Sequence, residues 1–264
     1  MESSRSESDG VLPASFWKDE VIATFMEAVT WSAIEDAAIS GSISVADLSN
    51  DEVIDISMRR CLEPSRTGAS EDVEGEAGEA AFGFGSRHDR ELLVEGNSFL
   101  DRGLNQLAIL LYATWIEHWI NRIILMRSVG FGTPPELAAA LVRSTRLELK
   151  IGKIWSSLEL ERFDRDLSRA IVRVMESRNG FVHFKWTASP EDEHGERINQ
   201  GAARAVEAKR TVEALMKLED EIFFDGRSVE IKEQFRREYV RRMQSAGGPH
   251  GSSEGASVSE ADAG

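Results

Sequence analysis

Apolar positions along this chain recur at helical spacing, and no run alternates with the period of two that marks a strand. Residues 15–39 predict a helix, with Ser15 as its N-cap and Gly41 just past its end. A shorter helix is expected from Asn50 or Asp51 to about Cys61, where Pro64 stops it. Residues 98–128 predict a long helix, capped by Ser98 and ended near Gly130. Its apolar residues run round most of its circumference, as they do in a helix packed on several sides. At about 100° per residue, Gln106, Thr114, Glu117 and Asn121 share an arc of about 80°, a polar stripe on that helix. Thr133 is expected to cap a helix opened by Pro134 and Pro135 and running to Val142. Residues 145–158 predict another, weakened by Gly152. The clearest seam lies in 160–184, through Phe163, Leu167, Ile171 and Val174. A polar loop is expected over 187–200, then helices over 201–224 and 228–243. The fold class is therefore all-α, a helical bundle without internal repeat.

Composition divides the chain. Residues 1–62 read as an N-terminal helical element with a disordered, Ser/Glu-rich start. Residues 63–91, with Gly68, Gly75, Gly78, Gly83 and Gly85 among acidic residues, read as a flexible linker. The main helical domain is expected over 92–225, a basic helix over 226–244 and a disordered tail over 245–264. A chain of 264 residues that is 41% hydrophobic has enough apolar surface for a sizeable core. Its start, MESSRSESDG, lacks a secretory signal pattern, and the apolar run LAILLYATWI is too short to span a bilayer. One cysteine, Cys61, excludes a disulfide framework and a cysteine-based zinc site, and points to a reducing, cytoplasmic setting.

The formal charge of −15 argues against a nucleic-acid partner, but its distribution changes that picture. Residues 1–91 carry seven Lys or Arg against twenty Asp or Glu, whereas residues 143–185 carry ten against six. The basic middle of the chain holds the candidate chemistry. The seam ending at Val174 calls for an apolar residue near 178, and Arg178 stands there, followed by Asn179, Gly180 and His183. A charge on a core-facing stripe is costly unless it is paired or opens onto a cleft. Arg presents a planar fork to a phosphate, His moves protons near neutral pH, and Asn orients either group. The bland alternative is a salt-bridged arginine at a helix end beside a core histidine.

The run Arg178-Asn179-Gly-Phe-Val-His183 resembles the signature of the HEPN domain: an Arg, four to six residues, and a His, often with Asn, Asp or His after the Arg. The resemblance covers about residues 92–225. It implies an all-α bundle with the motif following a long helix, here similar to Leu110–Met126, on which Glu117 matches an acidic position. It further implies a metal-independent endoribonuclease without cofactor, a homodimer whose two motifs meet in one composite site. The implied reaction is attack of the RNA 2′-OH on the adjacent phosphate. His183 would be general base or acid, Arg178 would stabilise phosphate charge, Asn179 would position them, and Glu117 would complete the site. Such proteins commonly serve as defence or toxin–antitoxin effectors, held silent by an antitoxin or a regulatory protein. The branch controlled by nucleotidylation often carries a tyrosine two residues before the His; here that position is Phe181, which puts that control in doubt. The second reading is a catalytically silent bundle for nucleotide binding or protein interaction. A third makes residues 1–91 an acidic arm that screens the basic region.

Other features read as structural. Glu117 has the alternative of a buried carboxylate bonded to Asn121 or an arginine; Asn121 reads as structural, with support of a site as its alternative, and His118 reads as packing. AFGFGS at 81–86 lacks the preceding strand and the Lys-Ser/Thr ending of a phosphate loop. His88 and His194 have no partners at metal spacing, so no metal site is expected. Arg162, Arg165, Arg169 and Arg173 share one helix face with Asp164 and Asp166 nearby: a solvated face, or a track for an RNA backbone. The terminal KEQFRREYVRR fits either use. Trp115, Trp119 and Trp155 are expected in the core.

Overall fold

A computed structural model describes residues 20–62, 89–182 and 194–246. Every regular element among them is helical: α1 (Glu20–Ser40), a 3-10 turn (Val45–Asp47), α2 (Asn50–Leu62), α3 (Asp89–Asp101), α4 (Asn105–Gly130), α5 (Pro135–Ser144), α6 (Leu147–Leu149), a π-turn (Lys150–Ile154), α7 (Trp155–Ser157), α8 (Arg165–Val182), α9 (His194–Phe224) and α10 (Ser228–Ala246). The all-α reading holds, and no described helix is long and apolar enough to cross a membrane. Ser15, most of the linker, His183 and residues 247–264 of the tail lie outside the described residues, while residues 245 and 246 close α10.

The long central helix forms, but not from Ser98. The chain breaks after α3, where Gly103 takes a positive φ of 72°, and α4 starts at Asn105. The stretch before it is a helix of its own rather than a lead-in. It packs on α4 at Gly96, where a Cβ would stand 2.9 Å from the Tyr112 ring, and the Tyr112 hydroxyl donates to Asn97 Oδ1 at 2.7 Å. Three other boundaries differ from the pattern-based reading. Pro134, not Thr133, is the N-cap of α5. Asp164 caps α8, its Oδ1 accepting from the Leu167 N–H at 2.7 Å. α9 reaches back to His194, because its first turn tolerates Gly195, so 194–200 are helical instead of loop.

α4 is the axis of the bundle. Ile109, Ile116, Ile120, Ile123 and Ile124 are at most 1% exposed. Trp119 stacks between Trp115 and Trp155, with centroids at 6.3 and 5.7 Å, and Trp155 meets Phe163 at 4.4 Å. The three tryptophans are core, as expected. His118 is not packed; it is exposed on the same helix.

The N-terminal helices belong to this core. Trp31, Ile34, Ile39, Val53 and Ile54 join one continuous apolar cluster with α4, α9 and α10. Trp31 stacks on Phe224 at 5.9 Å and meets Phe235 at 6.4 Å. Arg122 of α4 bonds Asp36 at 3.0 Å and lies 3.5 Å from both Glu35 and Glu219, tying α1 and α9 to the axis. Arg227 donates to Asn50 Oδ1 at 2.8 Å and to the Leu48 and Val45 carbonyls, which pins the 3-10 turn to the α9–α10 corner.

Where α1 and α4 end together, backbone meets backbone. A Cβ on Gly130 would sit 1.9 Å from the Ser40 carbonyl oxygen, whereas one on Gly180 meets nothing within 4 Å. Ordinarily Gly→Ala inside a helix gains about 1 kcal/mol. Gly180→Ala is expected to follow that rule. Gly130→Ala is expected to lose about 3 kcal/mol, since the two helix ends must part. Urea denaturation of the two variants, displaced in opposite directions from the parent, checks the pair.

Candidate functional site: a charged cleft between α4, α6 and α8

Halfway along α4 the packing opens into a cleft of about 360 Å³, lined by α4, the α5–α6 junction and α8. Into it the structure brings Glu117, Arg178 and Asn179, three of the four residues singled out from sequence. The fourth, His183, lies just beyond Val182 and outside the described residues.

Arg178 is where the seam predicts an apolar side chain, and it opens onto the cleft instead of entering the core. Its Nη1 donates to Glu117 Oε2 at 2.6 Å. Its Nη2 and Nε donate to Asn179 Oδ1 at 3.1 and 3.3 Å. The side chains of Arg178 and Glu117 are 24% and 38% exposed, so this ion pair faces solvent and is not sealed in packing. Gly180 neither ends nor breaks α8, which continues to Val182.

The polar stripe on α4 divides. Glu117 and Asn121 line the cleft. Thr114 returns its hydroxyl to the Leu110 carbonyl at 2.9 Å, and Gln106 lies toward Gly201 of α9. Asn121 ties α4 to the segment after α6, its Oδ1 accepting from Lys150 Nζ at 2.7 Å.

Lys150 is the cleft residue that the sequence reading missed. It opens the π-turn and is only 6% exposed. Burial pushes its ammonium pKa below the usual lysine value, and the negative charge of Glu117 opposes that shift. A signal was present: Lys150 shares a helix face with Leu147, Ile151 and Ile154. Arg146, Glu148 and Glu176 complete the charged lining, so the cleft carries both signs.

No family model, curated protein or solved structure matches this chain.

Beside the cleft, the arginine face of α8 is partly spent. Arg173 Nε donates to Glu207 of α9 at 2.8 Å, and Arg169 stands 3.8 Å from Asp166. Arg162 and Arg165 are exposed. Among the described residues no three His, Cys, Asp or Glu side chains converge as a metal site requires.

The arrangement is suited to a phosphate. An arginine with a fixed fork and a buried lysine both line the cleft. The volume is at the small end of ligand pockets and fits about one nucleotide.

Proposed function

We propose that this chain is a HEPN-type, metal-independent endoribonuclease, acting as a homodimer in the cytoplasm and serving defence or a toxin–antitoxin pair. The observation that carries this reading is the meeting of Arg178 and Asn179 of the motif with Glu117 of the central helix in one open cleft. Two motif side chains and a carboxylate of the central helix thus border one solvent-facing cavity, the placement that a site on this cavity needs.

In this reading a 2′-oxygen attacks the adjacent phosphorus and its proton passes to a base. The bond from phosphorus to the 5′-oxygen breaks, and that oxygen takes up a proton. His183 supplies or accepts one of these protons. Arg178, aimed by Glu117 and Asn179, neutralises the charge that builds on the non-bridging oxygens. The products are a 2′,3′-cyclic phosphate and a 5′-hydroxyl, and the need for a 2′-OH restricts the reaction to RNA.

A second reading, a silent nucleotide-binding or protein-interaction module, is favoured by one observation. The Arg178 fork is already engaged by Glu117 and Asn179, as a purely structural arginine would be. The two readings part in one experiment. Purified protein is incubated with total RNA in EDTA, with His183→Ala alongside, and product ends are analysed. Cyclic-phosphate ends from the parent that vanish in the variant are the expected result. RNA left intact by the parent removes the nuclease and leaves the silent module.

A further inference from the structure

We propose that Lys150 is a phosphate-binding residue of this cleft, its Nζ held by Asn121 and offering its remaining N–H donors to a non-bridging oxygen of a phosphodiester. The inference rests on the nuclease reading only for the identity of the substrate as RNA; the anion site itself stands on geometry.

Lysine side chains are ordinarily solvated, and a buried one is usually paired with a carboxylate. Among the described residues Lys150 is the only charged side chain buried to this degree. Its hydrogen-bond acceptor is the neutral amide oxygen of Asn121. Glu117, whose charge reaches it, is committed to Arg178. An ammonium has three donors, so one bond to Asn121 leaves two. The side chain lines an open cleft, not a closed core. A buried cation whose hydrogen-bonded partner is neutral, with a cavity beside it, has donors left for an anion in that cavity.

Its backbone setting agrees with this. Lys150 begins a π-turn, and such turns recur at functional sites because they re-aim a side chain at the cost of regular hydrogen bonding. With Arg178 on α8, cations from two elements border one cavity of nucleotide size. A phosphodiester, with two non-bridging oxygens, engages both. The charge that acts on Lys150 is that of Glu117 of α4; the other charged groups lining the cleft are Arg146 and Glu148 beside it in sequence and Glu176 and Arg178 of α8.

The test uses the full-length protein and a fluorescent 2′-O-methyl oligoribonucleotide, which lacks the attacking hydroxyl and is not cleaved. Binding is followed by anisotropy across a salt series for the parent, Lys150→Met and Lys150→Arg. Lys150→Met is expected to weaken binding about tenfold. It should also reduce the slope of log K against log salt by about 0.7, the share of one lost phosphate contact on a single strand. Lys150→Arg is expected to keep the slope, which a merely structural lysine would not control. If Lys150→Met loses helical circular dichroism, Lys150→Gln takes its place, because it keeps an N–H donor at this position without the charge.

Equal affinity and slope in the charge-free variant overturn the assignment, whatever the cleavage assay shows. A parent that binds the oligonucleotide and leaves RNA intact, with binding lost in Lys150→Met, supports Lys150 and removes the nuclease. A parent that cleaves RNA while Lys150→Met binds normally does the reverse. A parent that does not bind the oligonucleotide overturns the phosphate site.

Discussion

A chain that starts at residue 92 is expected not to fold. The acidic N-terminal region invites the view that it is an arm whose removal bares the basic region, yet α1 and α2 are part of the core. Deleting them uncovers Phe224 and Phe235, which lose the ring of Trp31. Arg122 loses Asp36 and Glu35, and Arg227 loses Asn50 and two backbone carbonyls. The burial of Trp31, Ile34, Ile39, Val53 and Ile54, at about 2 kcal/mol each, is forfeited, which comes to roughly 10 kcal/mol. That is on the order of the entire 5–15 kcal/mol that holds a domain of this kind together. Circular dichroism and thermal melting of the truncated chain should show no cooperative transition. A folded truncation with raised RNA cleavage would restore the detachable arm. Screening by charge is better tested in the full chain, by exchanging Glu63, Glu71, Asp72, Glu74, Glu76 and Glu79 for Gln or Asn, which leaves the packed helices untouched.

The same case shows what the sequence made legible and what it did not. Periodicity found α1, α2, α4, α5, α8, α9 and α10 because each keeps an apolar face for long enough to reveal the helical repeat. It misjudged where α4 begins, since the turn at Gly103 interrupts no apolar seam; the break shows only as a backbone angle. It left the packing of α1 open because a Gly-rich linker looks alike whether its two ends dock or drift. Arg178 stood out by the rule it broke, a charge where Val174 and its predecessors call for an apolar residue. Lys150 breaks the same rule beside Ile151, but a segment only a few turns long, diluted by Gly152, hides the violation. The union of Glu117 with Arg178, far apart in the chain, needed the fold. Periodicity orders residues within one helix and says nothing of which helices face each other.

On the nuclease reading proposed above, replacing Arg178 is expected to cause a large loss of activity. Arg178→Ala should lower the single-turnover cleavage rate by about 10²–10³, the range for removal of one donor that stabilises developing charge. Arg178→Lys should recover little of it, because a lysine cannot reproduce a fork held at once by Glu117 and Asn179. The cost in stability should stay near 1 kcal/mol, since the ion pair is part-exposed and its loss leaves no sealed charge. Glu117 touches Arg178 and is a positioning residue, so Glu117→Gln should cost less, about tenfold, and leave the acid limb of the pH–rate profile in place. The double replacement decides its role. If Glu117 works only by aiming the arginine, Glu117→Ala adds nothing once Arg178 is Ala, and the double variant cleaves as slowly as Arg178→Ala alone. If Glu117 instead carries a proton in the reaction, the two losses multiply and the acid limb moves. Additive losses with a shifted profile would therefore place Glu117 among the groups that meet the substrate, and would require its bond to Arg178 to open when RNA enters the cleft.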